Sequence, residues 1–308
     1  MNRSITEFFQ IPEAVRVPVL GGILYRWFIK LDNKSILKEK LPKNPLNTEE
    51  RKEKVIVSLT SFPARISYVH LAIKSLMLQS YKPDRIILWL AEEQFPDKQL
   101  PKALTDLCAY GLEIKYGENL YGHKKYFYAL QQQKEDELVI TYDDDLIYPP
   151  NSIKRAVETH LKYPSAIVCN RAQALAYDKK GEIKNPGRWD TLSSEGVKKN
   201  SYKLCPSTGG GCLYPYGALH EDARNVMLIQ ELALKGDDLW IMFMANEKGT
   251  PIVKTRKYHR PFSPICNTQS IQLATDNLIN NAYFDMLEGL INRYPKAWER
   301  CIGKKLDE

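Results

Sequence analysis

Between Val55 and Pro150 short β-branched runs alternate with amphipathic stretches, and the last run drives into three consecutive aspartates followed by two prolines. Val55–Thr60 reads as a buried strand, and Val69, Ala72, Ile73, Leu76 and Met77 then recur on one helical face. Arg85–Leu90 and Leu112–Tyr116 read as the next two strands, separated by a helix over 101–110 with Pro at its first turn. A helix over about 124–133 leads to a fourth strand, Leu138–Tyr142. Alternation of this kind predicts an α/β fold: a mostly parallel central sheet, right-handed crossovers and flanking helices.

The fourth strand carries the chemistry. Asp disfavours strand interiors, so Asp143, Asp144 and Asp145 are expected where the chain leaves the sheet. In an open α/β sheet, ligands bind outside the carboxyl ends of the strands. Three negative charges in one turn repel unless a cation neutralises them. Carboxylates without nearby Cys or His suit a hard ion, Mg2+ or Mn2+, which commonly brings phosphate oxygens with it. A simpler use of the same residues is to cap a helix starting near Asn151.

Composition narrows the partners. A net charge of +7 comes from 44 basic residues interleaved with 37 acidic ones. That pattern argues against a nucleic-acid protein and suits a small polyanionic substrate or an anionic surface. Six cysteines without a C-x-x-C pair suggest neither a disulfide framework nor a zinc site, and reduced thiols point to the cytoplasm.

Near the amino terminus, Val17–Tyr25 is apolar but too short to span a bilayer. Leu20, Ile23, Leu24, Trp27, Phe28 and Leu31 form one helical stripe. It can pack on its own domain or, with flanking cations, lie peripherally on the inner face of a membrane, a contact spanning 17–31. Residues 32–54 are rich in Lys, Glu, Asn and Pro and read as a solvated linker.

Downstream, a helix over 152–162 and a strand over 166–170 precede a long polar stretch to Lys203. Gly209, Gly210 and Gly211 then open an apolar strand, either as a bulge or loop or to let a ligand approach the backbone. Asp237 and Asp238 begin a helix that is apolar all round. They can cap it, or burial can oppose the helix amino terminus and leave a carboxylate near the pKa of a general base.

Taken together, Val55–Arg65, Gln79–Asp84, Gly122–Lys125, Asp143–Asp145, the glycine triplet, Asp237–Asp238 and Lys257–Arg260 resemble the nucleotide-sugar glycosyltransferases of the GT-A fold. They look most like the family-two-type bacterial enzymes of surface polysaccharide synthesis. The resemblance spans about Val55 to His259. It implies a catalytic domain over 55–260, flanked by an amino-terminal helical arm and linker (1–54) and a carboxyl-terminal helical extension (261–308).

The resemblance also implies roles. Asp143 would contact the ribose of a nucleotide sugar, with a UDP-sugar expected, and Asp145 would hold the metal on its diphosphate, with Asp144 beside them. Thr60, Phe62 and Arg65 would contact the nucleoside, with Lys124 or Lys125 nearby. Gly209, Gly210 and Gly211 would line the sugar. Asp238 would be the base of an inverting transfer to a glycan or lipid-linked saccharide, and Asp237 would orient hydroxyls. His259 would complete the metal shell with Asp143 and Asp145. The sequence departs from the family-two pattern in its Gly-Asp-Asp and in lacking a Q-x-x-R-W motif.

Two rivals use the same residues. Asp143-x-Asp145 with Gly236–Asp238 imitates a haloacid-dehalogenase-like phosphatase, although Ile147 stands where those enzymes usually carry Thr or Val. A non-catalytic sugar-nucleotide-binding protein would keep the sheet without turnover, but neither the aspartate triad nor the base position is degraded here.

Overall fold

Strand β1 (Lys54–Thr60) lies inside a seven-stranded sheet and is buried on both faces, as its unbroken apolar run requires. Residues 19–257, 262–268 and 282–304 are described in this computed structural model. Beside β1 run β2 (Arg85–Ala91) and β4 (Glu137–Tyr142), both parallel to it, and β3 (Leu112–Gly117) pairs in parallel with β2. On the far side of β4 comes β9 (Gly210–Tyr214), antiparallel to both neighbours. Then come β6 (Ile167–Cys169) and β10 (Ile252–Lys254), giving the order β10-β6-β9-β4-β1-β2-β3. The chain is therefore α/β, with a mostly parallel central sheet.

Side chains alternate between two cores, as pleating dictates. Val55, Val57 and Leu59 join one with α2 (Val69–Met77) and α5 (Ser152–His160). Ile56 and Val139 face the other, with α4 (Lys124–Gln131), α6 (Val226–Leu232), α7 (Asp237–Lys248), α8 (Ala282–Arg293) and α9 (Pro295–Ile302). The stretch read as one helix over 101–110 is a short α3 (Lys102–Thr105) continued by a 3-10 turn to Tyr110.

This topology collects the chemistry. The carboxyl ends of β1, β4, β6 and β10 share one edge, and antiparallel β9 begins there. Between Thr141 and Tyr142 the β4–β9 register shifts, with Thr141 opposite Cys212 and Tyr142 opposite Gly210. Gly211, at φ +88°, is the extra residue of that bulge. Of the two readings of the glycines, the bulge is therefore realised at Gly211.

Two segments differ from expectation. Helix α1 runs Val19–Lys38, so the first residues assigned to a linker are helical. Its buried side chains there include Asp32, Asn33 and Ile36. Asn33 donates to the Pro264 carbonyl (2.9 Å) and accepts from the Cys266 N–H (3.0 Å), and Ser263 bonds Asp32. An apolar periodicity search gives no credit to polar residues that dock backbone. Trp27 and Leu37 are exposed on the same helix. The polar stretch before Lys203 also contains β7 (Ala172–Ala174), which pairs antiparallel with β8 (Leu204–Pro206), too short to carry a pattern. Finally, β5 (Leu146–Ile147) pairs with β11 (Ser263–Pro264), closing the segment after the aspartates. Among the described residues no helix is long and apolar enough to cross a membrane.

Candidate active site

The turn after β4 is fixed by Tyr148. Its hydroxyl accepts the Asp143 N–H at 2.8 Å and lies 2.8 Å from the Gly209 carbonyl, while its ring packs edge-on to Tyr142 at 4.5 Å. The three carboxylates then part. Asp144 turns inward and is buried, accepting from Ser61 Oγ (2.6 Å) and Arg65 Nη1 (2.8 Å). The same Arg65 nitrogen reaches Asp145 Oδ2 at 3.1 Å. No carboxylate caps α5, whose N-cap position is Asn151 without a side-chain bond. Burial works against the Arg65 charge, and Asp144 and Asp145 more than offset it. Asp145 is pushed up to about 7 by burial, then by Asp143 and Asp144, with Arg65 opposing.

Lys125 links this turn to the second acidic pair. It is buried at the start of α4, with Nζ 2.7 Å from Asp143 Oδ1 and 2.9 Å from Asp237 Oδ2. Burial alone would lower its pKa, but Asp143, Asp237 and Asp238 raise it. Lys124 instead bonds Asn119 Oδ1 (3.2 Å) and drops to about 8 through burial, against the pull of Asp144 and Glu93.

Asp237 and Asp238 are the first residues of α7, after Gly236. Their recorded bonds run to Thr208 and Lys125 rather than to a capping position. Thr208 donates its N–H to Asp238 Oδ1 (2.8 Å), and its hydroxyl lies 2.7 Å from that atom and 2.6 Å from Asp237 Oδ2. One hydroxyl hydrogen thus serves two carboxylates. Against the effect of burial, Lys125, His123 and Thr208 hold Asp237 down at about 2. Burial and the Asp237 charge push Asp238 up to about 7, with Lys125 opposing. Asp237 is thus held ionised while Asp238 titrates near neutrality, a split of the kind that acid–base sites use.

The glycines serve this geometry. A Cβ on Gly209 would lie 1.7 Å from Asp143 Oδ2, so the missing side chain makes room for that carboxylate. Gly210 is tight against Arg171 and Ser207, and Gly211 against Asn170 and Tyr142. We expect Gly209→Ala to keep the fold but swing Asp143 off Lys125, seen as a lower melting temperature than wild type. An unchanged melting temperature would show that Asp143 need not sit there.

Other expected residues sit around the rim. Thr60 spends its hydroxyl on the Trp89 carbonyl (2.8 Å), and Phe62 lies under the Arg65 guanidinium, 5.4 Å from ring centre to carbon. His259 is outside the described residues. Three contributors escaped the sequence reading: Thr208, Ser61 and Tyr148. Only the position of Thr208 directly before the glycines hinted at its part.

Neither a family model nor a curated protein sequence matches this chain. Solved structures do align with it. A mannosyltransferase from Pyrobaculum calidifontis, in complex with GDP-Man and Mn2+, aligns over 75% of this chain at 13% identity and TM-score 0.41. This chain spans 61% of that protein's length. A 4-diphosphocytidyl-2C-methyl-D-erythritol synthase from Anaerococcus prevotii aligns over 76% of this chain and 96% of its own, at 12% identity and TM-score 0.43. An inositol-1-phosphate CTP transferase from T. maritima aligns over 79% and 98%, at 10% identity and TM-score 0.40. At these identities the likeness is one of chain path, and function has to be argued from the site.

Among the described residues no three His, Cys, Asp or Glu gather into a ready-made cage. Lys125 meets Asp143 at Oδ1 and Arg65 meets Asp145 at Oδ2. Mg2+ is typically bound through one or two carboxylates plus substrate phosphates, and this donor set fits that pattern.

Proposed function

We propose that this protein is a metal-dependent glycosyltransferase of the GT-A type, moving a sugar from a nucleoside diphosphate to a hydroxyl of a glycan or lipid-linked saccharide, with inversion. One observation carries the reading. The carboxylates after β4 and those opening α7 meet in a single site, bridged by Lys125 at 2.7 and 2.9 Å. Asp143 and Asp145 would hold Mg2+ or Mn2+, which when bound supplies Lewis-acid stabilisation of the departing diphosphate. Asp238 takes the proton of the acceptor hydroxyl, whose oxygen bonds to the anomeric carbon as the carbon–phosphate oxygen bond breaks and its electron pair leaves with the diphosphate. Asp237, kept ionised by Lys125, orients the hydroxyls.

Calorimetric titration of UDP and GDP with and without Mn2+ tests the donor half. Binding is expected to need the metal and to vanish in Asp145→Ala. Products test the chemistry: a nucleoside diphosphate should be released from a nucleotide sugar. Pyrophosphate release from a nucleoside triphosphate and a sugar phosphate would replace glycosyl transfer by nucleotidyl transfer. Phosphate release from a simple phosphomonoester without nucleotide would favour the phosphatase reading. A peripheral site at the inner membrane face accords with exposed Trp27 and Leu37 on α1; cosedimentation with anionic vesicles tests it.

A further inference from the structure

We infer that the cleft between Arg171, Lys254 and Lys257 receives a phosphate group on the acceptor; this assignment rests on the transferase reading. The cleft is small and open to solvent, and its lining holds these three cations, Ser207 and no carboxylate. Each cation is delivered by the edge that carries the site. Arg171 follows β6, Lys254 ends β10, and Lys257 lies three residues beyond it. Lys254 is buried and anchored by donation to the Ser193 carbonyl (2.7 Å); burial lowers its pKa, with Asp190 and Glu195 opposing. The Arg171 guanidinium sits 5.7 Å over the Phe262 ring, which fixes its plane. Lys257 is exposed at the mouth.

This cleft lies beside the base. Ser207 forms its wall, and the next residue, Thr208, holds the Asp238 carboxylate. Asp143 and Asp145, proposed for the metal, follow β4, and β9 separates that strand from β6 and β10 in the sheet order. Strands are spaced by about 4.8 Å, so the ends of β6 and β10 lie roughly 10–14 Å along the edge from the end of β4. An acceptor with its hydroxyl at Asp238 would reach the cleft with a neighbouring substituent. Three cationic side chains with no carboxylate in the lining favour an anion, and the planar Arg171 fork can pair two phosphate oxygens.

The test titrates the full chain with inorganic phosphate, glucose 6-phosphate and glucose, first alone and then with UDP and Mn2+ saturating. Phosphate and glucose 6-phosphate should bind in both conditions, and glucose should not. Lys257→Gln, at an exposed position, should weaken phosphate about tenfold, and Arg171→Gln with Lys257→Gln should abolish measurable binding. Phosphate affinity untouched by the double substitution, displacement of phosphate by UDP, or equal binding of glucose would each overturn the assignment. If nucleotide binds but phosphate does not, the cleft fails and the donor reading stands. If phosphate binds through Arg171 and Lys257 while no nucleotide binds, the donor reading fails and the anion site remains.

Discussion

Asp238→Asn is expected to leave metal-dependent nucleotide binding within about threefold of wild type while lowering transfer by about 10²–10⁴-fold, the usual contribution of a positioned general base. Asn keeps the oxygen that accepts from the Thr208 N–H and hydroxyl, so local geometry survives. What it removes is the ability to take a proton. In the wild type, transfer should rise about tenfold for each pH unit up to about 7 and then level off, because burial and Asp237 set the Asp238 pKa there. The variant should lose that limb. Retention of transfer within about tenfold, with the limb intact, would assign the base elsewhere.

The same substitution should stabilise the protein above neutral pH. Folding raises the Asp238 pKa from the ordinary carboxylate range to about 7. Between roughly pH 4 and pH 7 the folded state therefore holds a proton that the unfolded chain has released. The associated stability is full below the unfolded pKa and is lost as pH rises through 7. At pH 8 the wild type carries two adjacent half-buried carboxylates, a penalty of at most about 4 kcal/mol by linkage. Asn escapes most of it, so its melting temperature should exceed that of wild type by several degrees at pH 8 and by little at pH 5. A general base bought with stability is a common trade in active sites.

The sheet was largely readable because its central strands are buried on both faces, so β1, β2 and β4 announce themselves as unbroken apolar runs. Beyond β4 the reading thinned where strands shorten to three residues and pair locally, as β7 and β8 do. Both acidic pairs were visible as charges placed against apolar segments. Which way each side chain turns was not: Asp143, Asp144 and Asp145 are identical letters, and only Ser61 and Arg65, distant in sequence, turn Asp144 inward. The glycines looked like bare surface for a ligand, but at Gly209 the space is taken by the Asp143 carboxylate. Thr208 contributes one N–H and one hydroxyl, a signal too small for composition or periodicity to register. The polar docking of α1 through Asn33 escaped for the same reason.

Lys125→Met is the substitution from which we expect the largest loss of stability. Met matches the aliphatic stem but leaves Asp143 and Asp237 without their shared cation. Breaking a buried pair typically costs about 3–5 kcal/mol, because a charge is stranded in low dielectric. For a chain of this size that is a fall of roughly 5–8 °C in melting temperature. Asp143 is partly exposed, with 40% of its side-chain surface accessible, and can turn to water; Asp237, at 19%, is the more stranded of the two. Adding Asp237→Asn should therefore recover much of the stability, with a favourable coupling in a double-mutant cycle. Nucleotide affinity should not recover with it, because Asp143 still lacks the ammonium that fixes its carboxylate. This split separates two roles for Lys125. A lysine that only touched the nucleoside would cost affinity and leave the melting temperature alone, and Asp237→Asn would rescue nothing. A lysine that joins the donor side of the site to the base side must lose both, and regain one without the other.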